Sequence, residues 1–418
     1  MQKTLWRYSA LFLLLGFGLD VSAQQPLTWE QVRSRFETSN PTLLAGQLNI
    51  SESKAEEITA YLRPNPNLSL LADQIDPFPG GAPHGPFSYL LPSATVSYLL
   101  ERDHKRGLRL ESARKATGIA ASNQTDLERN LLFNLRTAFV QTLQAKAVFE
   151  VAKQNLDYYD HVLQVSSDRY KAGDIAQIDL DRLELQRVQF ESDLQTAEVN
   201  LRTAKIQLLT LLNDRMPVEQ FDVTGPFDFS DQLLTLDEFR TIALDTRPDL
   251  KAAMQAVDKA KTDHKLAIAD GSTDPTLAFD VGRNPPIDEY IGVSVSIPLR
   301  IFDRNQGEKF RTQLDIERNQ RLLDATQAQV FSDVDSAYAT LNSNLILLRP
   351  YKSKYLQQAV RVRDTVTFSY QNGGASLLDF LNAQNEYRSL QLNYVNLVGS
   401  YLIAASQLNL AVGREVIP

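Results

Sequence analysis

Four long stretches of the chain place apolar residues at alternating steps of four and three positions. A charged side chain breaks this pattern at only two positions, Arg187 and Lys352. Apolar residues every 3.5 positions or so are typical of coiled coils, whereas a globular helix carries a wider apolar stripe. A helix from residue 105 to 169 would be roughly 100 Å long at about 1.5 Å per residue. The sequence therefore predicts extended helical hairpins, with apolar positions in residues 131–163, 180–211, 334–366 and 380–411.

A short motif separates the two members of each helical pair. Tyr170 precedes Gly173 by three residues, and Tyr370 precedes Gly373 by the same distance. Glycine ends helices readily because it adopts positive φ without a Cβ clash. Each motif is therefore predicted to form the tip of a hairpin, and the two tips are assigned to residues 170–179 and 370–379.

Shorter stretches alternate apolar and polar residues, which predicts strands. In the clearest of them, Ile291, Val293 and Val295 face one way and small polar residues face the other. Strand lengths near the 9–11 residues of a bilayer crossing suit a membrane barrel, although the strands alone fit a soluble hairpin equally well. Four strands cannot close, since the smallest membrane barrels have about 8, so several chains would share one barrel. The predicted strands are residues 67–74, 89–101, 276–282 and 290–299.

The chain is a tandem duplication of one unit. SNPTLLAG from Ser39 is echoed by TRPDLKAA from Thr246, and RPNPNLSL from Arg63 is echoed by STDPTLAF from Ser272. Each half then carries two strands, a long helix, a tip and a second helix. This predicts a first repeat over residues 24–212, an equatorial linker over 213–236 and a second repeat over 237–418.

The first 23 residues have the pattern of an export signal. Lys3 and Arg7 precede an apolar core over residues 11–19, and small residues allow cleavage after Ala23. A buried N-terminal helix is the alternative. No later stretch of about 18 apolar residues is expected, so a transmembrane helix is not predicted. The Pro/Gly-rich residues 76–87 are predicted to form a loop between the first two strands.

Composition narrows the possible functions. The chain has 418 residues and a formal charge of −8, which does not favour a nucleic-acid partner. It has no cysteine, so disulfides, thiolate metal sites and lipidation after the signal are ruled out. His84, His104, His161 and His264 are scattered, and no glycine loop for phosphate is present. No metal site, cofactor or catalytic activity is predicted.

These motifs resemble the TolC-type outer-membrane efflux protein family. The features that carry the resemblance are the helix starts near Asn40 and Pro248, the strand entry PNPNLSL at Pro64, the stretch PLRIFDRNQGE from Pro298, and the paired tips. The resemblance covers essentially the whole chain after the signal. The stretch from Pro298 is most similar to the branch that serves metal-cation pumps.

The resemblance implies a fold and a cellular setting. Three chains would each give four strands to one transmembrane β-barrel in the outer membrane of a Gram-negative bacterium, and their helices would form a tunnel through the periplasm. The tips would meet a periplasmic adaptor and an inner-membrane pump, for which an RND-type transporter is one candidate. Tyr170, Gly173, Tyr370 and Gly373 are the predicted docking tips.

The resemblance also implies a gate. The family carries acids six and nine residues after the second tip glycine, which here are Asp379 and Asn382, and a gating arginine that is here Ala375. Three copies of Asp379 around an axis would attract cations. Asp179 and Asp181 of the first half are further candidates. Alternatively, Asp379 stabilises the helix that it begins, and both roles are compatible.

The sequence thus predicts a passive trimeric conduit. The runner-up is a soluble periplasmic coiled-coil adaptor, which would share the signal and the hairpins but would need no membrane strands. The transported substrate and the partner pump are not encoded in any motif of the chain.

Overall fold

The computed structural model describes residues 25–75 and 85–417. The predicted signal peptide, His84 and most of the predicted loop over residues 76–87 lie outside these residues. The described chain is largely helical, with one four-stranded sheet. Its elements, in chain order, are α1 (Trp29–Ser39), α2 (Pro41–Tyr61), β1 (Asn67–Asp73), β2 (Leu91–Leu99), α3 (Lys105–Ala172), α4 (Gln177–Leu211), α5 (Leu236–Thr246), α6 (Pro248–Asp270), β3 (Thr276–Asn284), β4 (Ile287–Ser296), α7 (Gln306–Pro350), α8 (Leu356–Gln371) and α9 (Leu377–Val412).

The same order of elements occurs twice. Two helices, two strands and a long helical hairpin make up each half, and α3 alone has 68 residues. Each half starts its second helix with a proline in the first helical position, Pro41 and Pro248, where the missing N–H costs nothing. Between the halves, residues 212–235 contain only the short 3-10 turn Val218–Gln220 among their described elements.

The predicted coiled-coil positions form the cores of the hairpins. Leu156 and Tyr159 of α3 pack with Leu183 and Phe190 of α4, and all four are buried. Arg187, which interrupts the pattern, forms two bonds of 2.6 and 3.1 Å to the carboxylate of Asp160 on α3. Arg187 therefore links the two helices at the edge of the hairpin.

The second long hairpin departs from the predicted continuous helix. A π-helical turn, Tyr351–Tyr355, separates α7 from α8. Pro350, which has no N–H to donate, lies at the end of α7 directly before this turn. The first half has no proline at the matching level, and α3 is continuous there. The heptad pattern alone did not reveal this break.

Residues 228–231 of the linker pack against the π turn and are called the strap here. Asp228 pairs with Lys352 at 2.6 Å, and Asp231 pairs with Arg349 at 3.0 Å. The Lys352 ammonium also lies 5.0 Å from the centre of the Phe229 ring. Lys352 interrupts the coiled-coil pattern because it faces the strap.

Helix α9 corrects one expectation. Its mean hydropathy reaches 1.3 over an 18-residue window, so it is long and apolar enough to cross a membrane, contrary to the sequence-based prediction. However, 61% of that window is buried inside the chain, where Val398, Tyr401 and Leu408 pack against α7. By burial, α9 is a core helix of the bundle.

The four strands form one antiparallel sheet in the order β1-β2-β3-β4. The strands start or end within a few residues of the predicted positions. In β3 and β4 the alternation is as predicted, while β1 departs from it at Leu71, which lies on the polar side. We call the two sides the apolar face (Leu68, Leu70, Val96, Leu277, Phe279, Val281, Ile291, Val293 and Val295) and the polar face (Ser69, Thr95, Ser97, Asp280, Gly292 and Ser294).

The apolar face is uncovered. Every one of its members named above is exposed, up to 75% for Leu70 and 76% for Val293. Facing pairs such as Phe279 and Val293 continue across the strands. An exposed apolar surface of this extent marks contact with a membrane or another protein.

An ion pair fixes the sheet to the helices. Lys105, the first residue of α3, is 4% exposed, and its Nζ lies 2.6 Å from Oδ2 of Asp274 and 3.1 Å from the carbonyl oxygen of Ser272. The other carboxylate oxygen of Asp274 accepts a bond of 2.9 Å from the backbone N–H of Arg102. The pair thus joins the start of α3 to the segment that enters β3.

Removing this ammonium should destabilise the chain. In Lys105→Ala the carboxylate of Asp274 loses its charged partner in a largely buried position, which typically costs about 3 kcal/mol. The control is Lys171→Ala, whose pair with Asp168 is exposed on both sides and should contribute under about 1 kcal/mol. Thermal unfolding of both variants in detergent, followed by circular dichroism, checks this; equal midpoints would contradict it.

Candidate functional site

The two tips are tight turns between helices. Gly173 has φ of 85° and Gly373 has φ of 77°, the left-handed region that glycine favours. Each glycine donates its N–H to the carbonyl oxygen of the tyrosine three residues earlier, at 2.9 Å for Tyr170 and 3.1 Å for Tyr370. The repeated motif is therefore explained by the turn itself: the spacing places the glycine where the helix ends.

The two tip tyrosines have different environments. Tyr170 is 37% exposed, whereas Tyr370 is only 5% exposed. The Tyr370 ring stacks on Phe380 with ring centres 5.0 Å apart, and burial raises the pKa of its hydroxyl. In this conformation only Tyr170 is available to a partner, so Tyr370 supports the tip from inside and Gly373 shapes it.

An aromatic cluster lies directly behind the tips. Tyr159 stacks on Phe190 at 4.6 Å and lies 6.4 Å from Phe380. Its hydroxyl donates to the carbonyl oxygen of Leu183 at 3.1 Å, and burial raises its pKa. Residues from both hairpins share this cluster, so the two tips are packed together as one unit.

Arg169 makes a polar link between the two tips that the sequence analysis did not identify. Its Nη1 donates to the carbonyl oxygen of Tyr370 at 2.9 Å, and its guanidinium carbon lies 5.6 Å from the Tyr370 ring centre. The matching position in the second half is Ser369. A comparison of the two copies would have singled out this charge, because it has no equivalent.

The predicted gate acid Asp379 begins α9. Its Oδ2 accepts from the Ser376 hydroxyl at 2.7 Å and from the Ser376 backbone N–H at 3.2 Å, while the Asp379 N–H donates to Ser376 Oγ at 3.1 Å. These bonds hold the pKa of Asp379 below its usual range. The structure therefore shows the helix-starting role, and the carboxylate stays ionised and exposed.

The other predicted gate residues form no hydrogen bond with Asp379, whose side chain bonds Ser376. Asn382 is exposed one turn further along α9, and Asp179 and Asp181 lie half-buried on the first turn of α4. Asp181 accepts a bond of 3.1 Å from Gln177. Ala375, at the position of the family's gating arginine, packs at the edge of the aromatic cluster. Among the described residues no group of three His, Asp or Glu side chains is arranged to hold a metal ion.

The comparisons with known proteins agree with one another. A family profile described as outer membrane efflux protein matches residues 240–414. The cobalt-zinc-cadmium resistance protein CzcC of Cupriavidus metallidurans is 23% identical over 94% of this chain and 91% of its own length. The outer membrane protein TolC of Escherichia coli is 22% identical over 72% of this chain and 64% of its own.

The fold agrees as well. The solved structure of CusC, described as a transmembrane channel, superposes with a TM-score of 0.76 over 92% of both chains at 16% identity. The chain resembles the TolC-type outer-membrane efflux protein family, as the sequence predicts. It is an outer-membrane protein of the Gram-negative type, and its largely helical fold with one four-stranded sheet matches the fold of the solved channels. The uncovered apolar face is the part of this TolC-family chain that suits lipid.

Loss of the Arg169 link should loosen the tips. In Arg169→Ala the carbonyl of Tyr370 loses a bond to a charged donor, so amide hydrogen exchange over residues 366–382 should become about tenfold faster. The control is Arg182→Ala, an exposed tip-proximal arginine without a hydrogen bond or ion pair among the described residues. Exchange mass spectrometry measures both; unchanged rates in Arg169→Ala would show that the link does not restrain the tips.

Proposed function

We propose that three copies of this chain form one passive conduit across the outer membrane and the periplasm. The observation that carries the proposal is the open sheet with its uncovered apolar face. In lipid, the outer edges of β1 and β4 would leave backbone N–H and C=O groups unpaired, so the edges must pair with those of other copies. Two copies would supply only eight strands; three follow from the resemblance to the family.

The conduit is proposed to work within a tripartite system. The tips, with the exposed Tyr170 and the turn at Gly173, are the part of the chain farthest along the hairpins from the sheet. They are the proposed docking surface for a periplasmic adaptor and, through it, an inner-membrane pump that supplies the energy. The relatives are channels, and we assign no catalytic step to this chain.

The proposed cargo is a heavy-metal cation. The support is the similarity to CzcC, a cobalt-zinc-cadmium resistance protein, over nearly the whole chain. OpmQ of Pseudomonas aeruginosa, described as a pyoverdine export protein, matches over 76% of the chain at 25% identity, so the family accommodates other cargo. Metal would pass without tight binding, which fits the scattered histidines. Growth of a deletion strain on cobalt, zinc, cadmium and a set of drugs distinguishes these cargoes; sensitivity to drugs alone would contradict a metal cargo.

A charge on the apolar face tests the membrane role. Val293→Arg should block outer-membrane insertion, because an arginine facing lipid near the barrel centre costs about 2–4 kcal/mol. The control is Ser294→Arg, the next residue, which lies on the polar face and should insert. Carbonate extraction and native mass spectrometry of detergent-purified protein report insertion and trimer formation.

The variants Val293→Arg and Ser294→Arg also distinguish the conduit from the runner-up function. In a soluble periplasmic adaptor the exposed Val293 would face water, so both arginine variants would behave alike and both would leave the membrane with carbonate. Wild-type protein that is monomeric and soluble without detergent would overturn the conduit.

The gate role of Asp379 remains a prediction with its own test. Asp379→Asn keeps an oxygen that can accept the bonds from Ser376, so the start of α9 is preserved while the charge is lost. In planar bilayers the variant should be less selective for cations, because acidic rings attract cations. The control is Asp237→Asn, an exposed acid at the start of α5. Equal selectivity of wild type and Asp379→Asn would remove the gate assignment.

A further inference from the structure

The polar face of the sheet carries one charge at mid-height. Asp280 lies in register with Thr95 on one side and Gly292 on the other, and Thr95 in turn pairs with Ser69. The two neighbouring rows of this face contain serine, alanine, glycine, asparagine, leucine and tyrosine, and no charged residue. Within the described strands, the other charged residues (Asp73, Arg283, Asp288 and Glu289) lie at the end of the sheet away from the helices.

Asp280 is also unpartnered. Its carboxylate forms no hydrogen bond or ion pair with any residue that the structure describes. In contrast, Arg283 and Asp288 at the sheet end lie 3.7 Å apart, and Asp379 at the tip has all its bonds to Ser376. A lone carboxylate in a membrane-spanning sheet is tolerated on the water-filled side. The negative charge of Asp280 is therefore free to interact with ions near the polar face.

Gly292 makes room for this carboxylate. A Cβ built on Gly292 would lie 2.6 Å from Oδ1 and 2.8 Å from Oδ2 of Asp280. The carboxylate thus occupies the space of the missing side chain on β4 and lies across the sheet. Glycine weakens a strand, and its presence inside one often marks a position where another group approaches the backbone closely. Here the carboxylate of Asp280 makes that approach.

We propose that Asp280 forms a ring of carboxylates inside the barrel that selects for cations, separate from the gate at the tips. This inference rests on the proposed trimeric conduit, in which three copies place Asp280 at one level of the lumen. The species it favours are hydrated cations in transit, monovalent or divalent. Asp280 acts through its field and does not coordinate the ion.

The expected effect of the ring on ion selectivity follows from the radius of the barrel. Twelve strands (three chains with four each) spaced about 4.8 Å apart and tilted by about 40° place the wall roughly 12 Å from the axis. Three charges roughly 10 Å from an ion, screened over a Debye length of about 10 Å at 0.1 M salt, favour a monovalent cation about twofold and disfavour an anion about twofold. The effect should vanish at 1 M salt, where the Debye length is about 3 Å.

Reversal potentials across planar bilayers test the ring. In a gradient of potassium chloride near 0.1 M, Asp280→Asn should lower the cation-to-anion permeability ratio about fourfold, the product of the two factors above. Near 1 M salt it should equal wild type. Asp280→Glu keeps the charge and should keep the ratio. Ser294→Asp, which adds a carboxylate to the same face, should raise it.

The outcomes separate this inference from the function beneath it. If wild type conducts as a trimer but Asp280→Asn and Ser294→Asp leave the low-salt ratio unchanged, the ring is wrong and the conduit stands. If wild type forms neither trimers nor channels, the proposed conduit is wrong, and the carboxylate ring, which depends on it, is wrong as well. Should Asp280→Asn fail to insert, the Ser294→Asp and Asp280→Glu variants still test whether carboxylates on the polar face set the permeability ratio.

Discussion

Unpaired backbone groups at the edges of the sheet are the constraint on which the rest of this molecule depends. Hydrocarbon offers no hydrogen bonds, so an open sheet in lipid must find partners for both edges. Here the sheet ends at β1 and β4, and none of the described residues covers its apolar face. The long hairpins attached through Lys105 and Asp274 then extend from a base whose edges, in the proposed conduit, pair with those of other copies.

Local patterns were sufficient to predict most of this fold. Heptad spacing fixed the positions of the coiled-coil contacts, since Leu156, Leu183 and Phe380 are buried where the pattern places them. Glycine chemistry gave the tips, because a positive φ ends a helix in a recognisable way. Alternation gave the two faces of the sheet most clearly in β4, where Ile291, Val293 and Val295 alternate with glycine and serine.

These local sequence patterns did not predict the long-range contacts. The link from Arg169 to Tyr370 joins residues 201 positions apart, and no periodicity reports it. The burial of Tyr370 was missed because its motif matches that of the exposed Tyr170. Helix α9 contains no unbroken run of about 18 apolar residues, yet its mean hydropathy reaches 1.3 because the average includes the polar residues that interrupt it. In each case the surroundings of a side chain, rather than its type, decided the outcome.

The turn at Tyr351–Tyr355 gives the two hairpins unequal mechanical properties. A π turn already departs from the regular ladder of hydrogen bonds, and Pro350 removes a further donor, so the arm formed by α7 and α8 has a weaker joint there. Helix α3 has no such joint and behaves as a stiff rod. Bending of the hairpins would then concentrate at this joint, which the ion pairs of the strap with Arg349 and Lys352 hold in place.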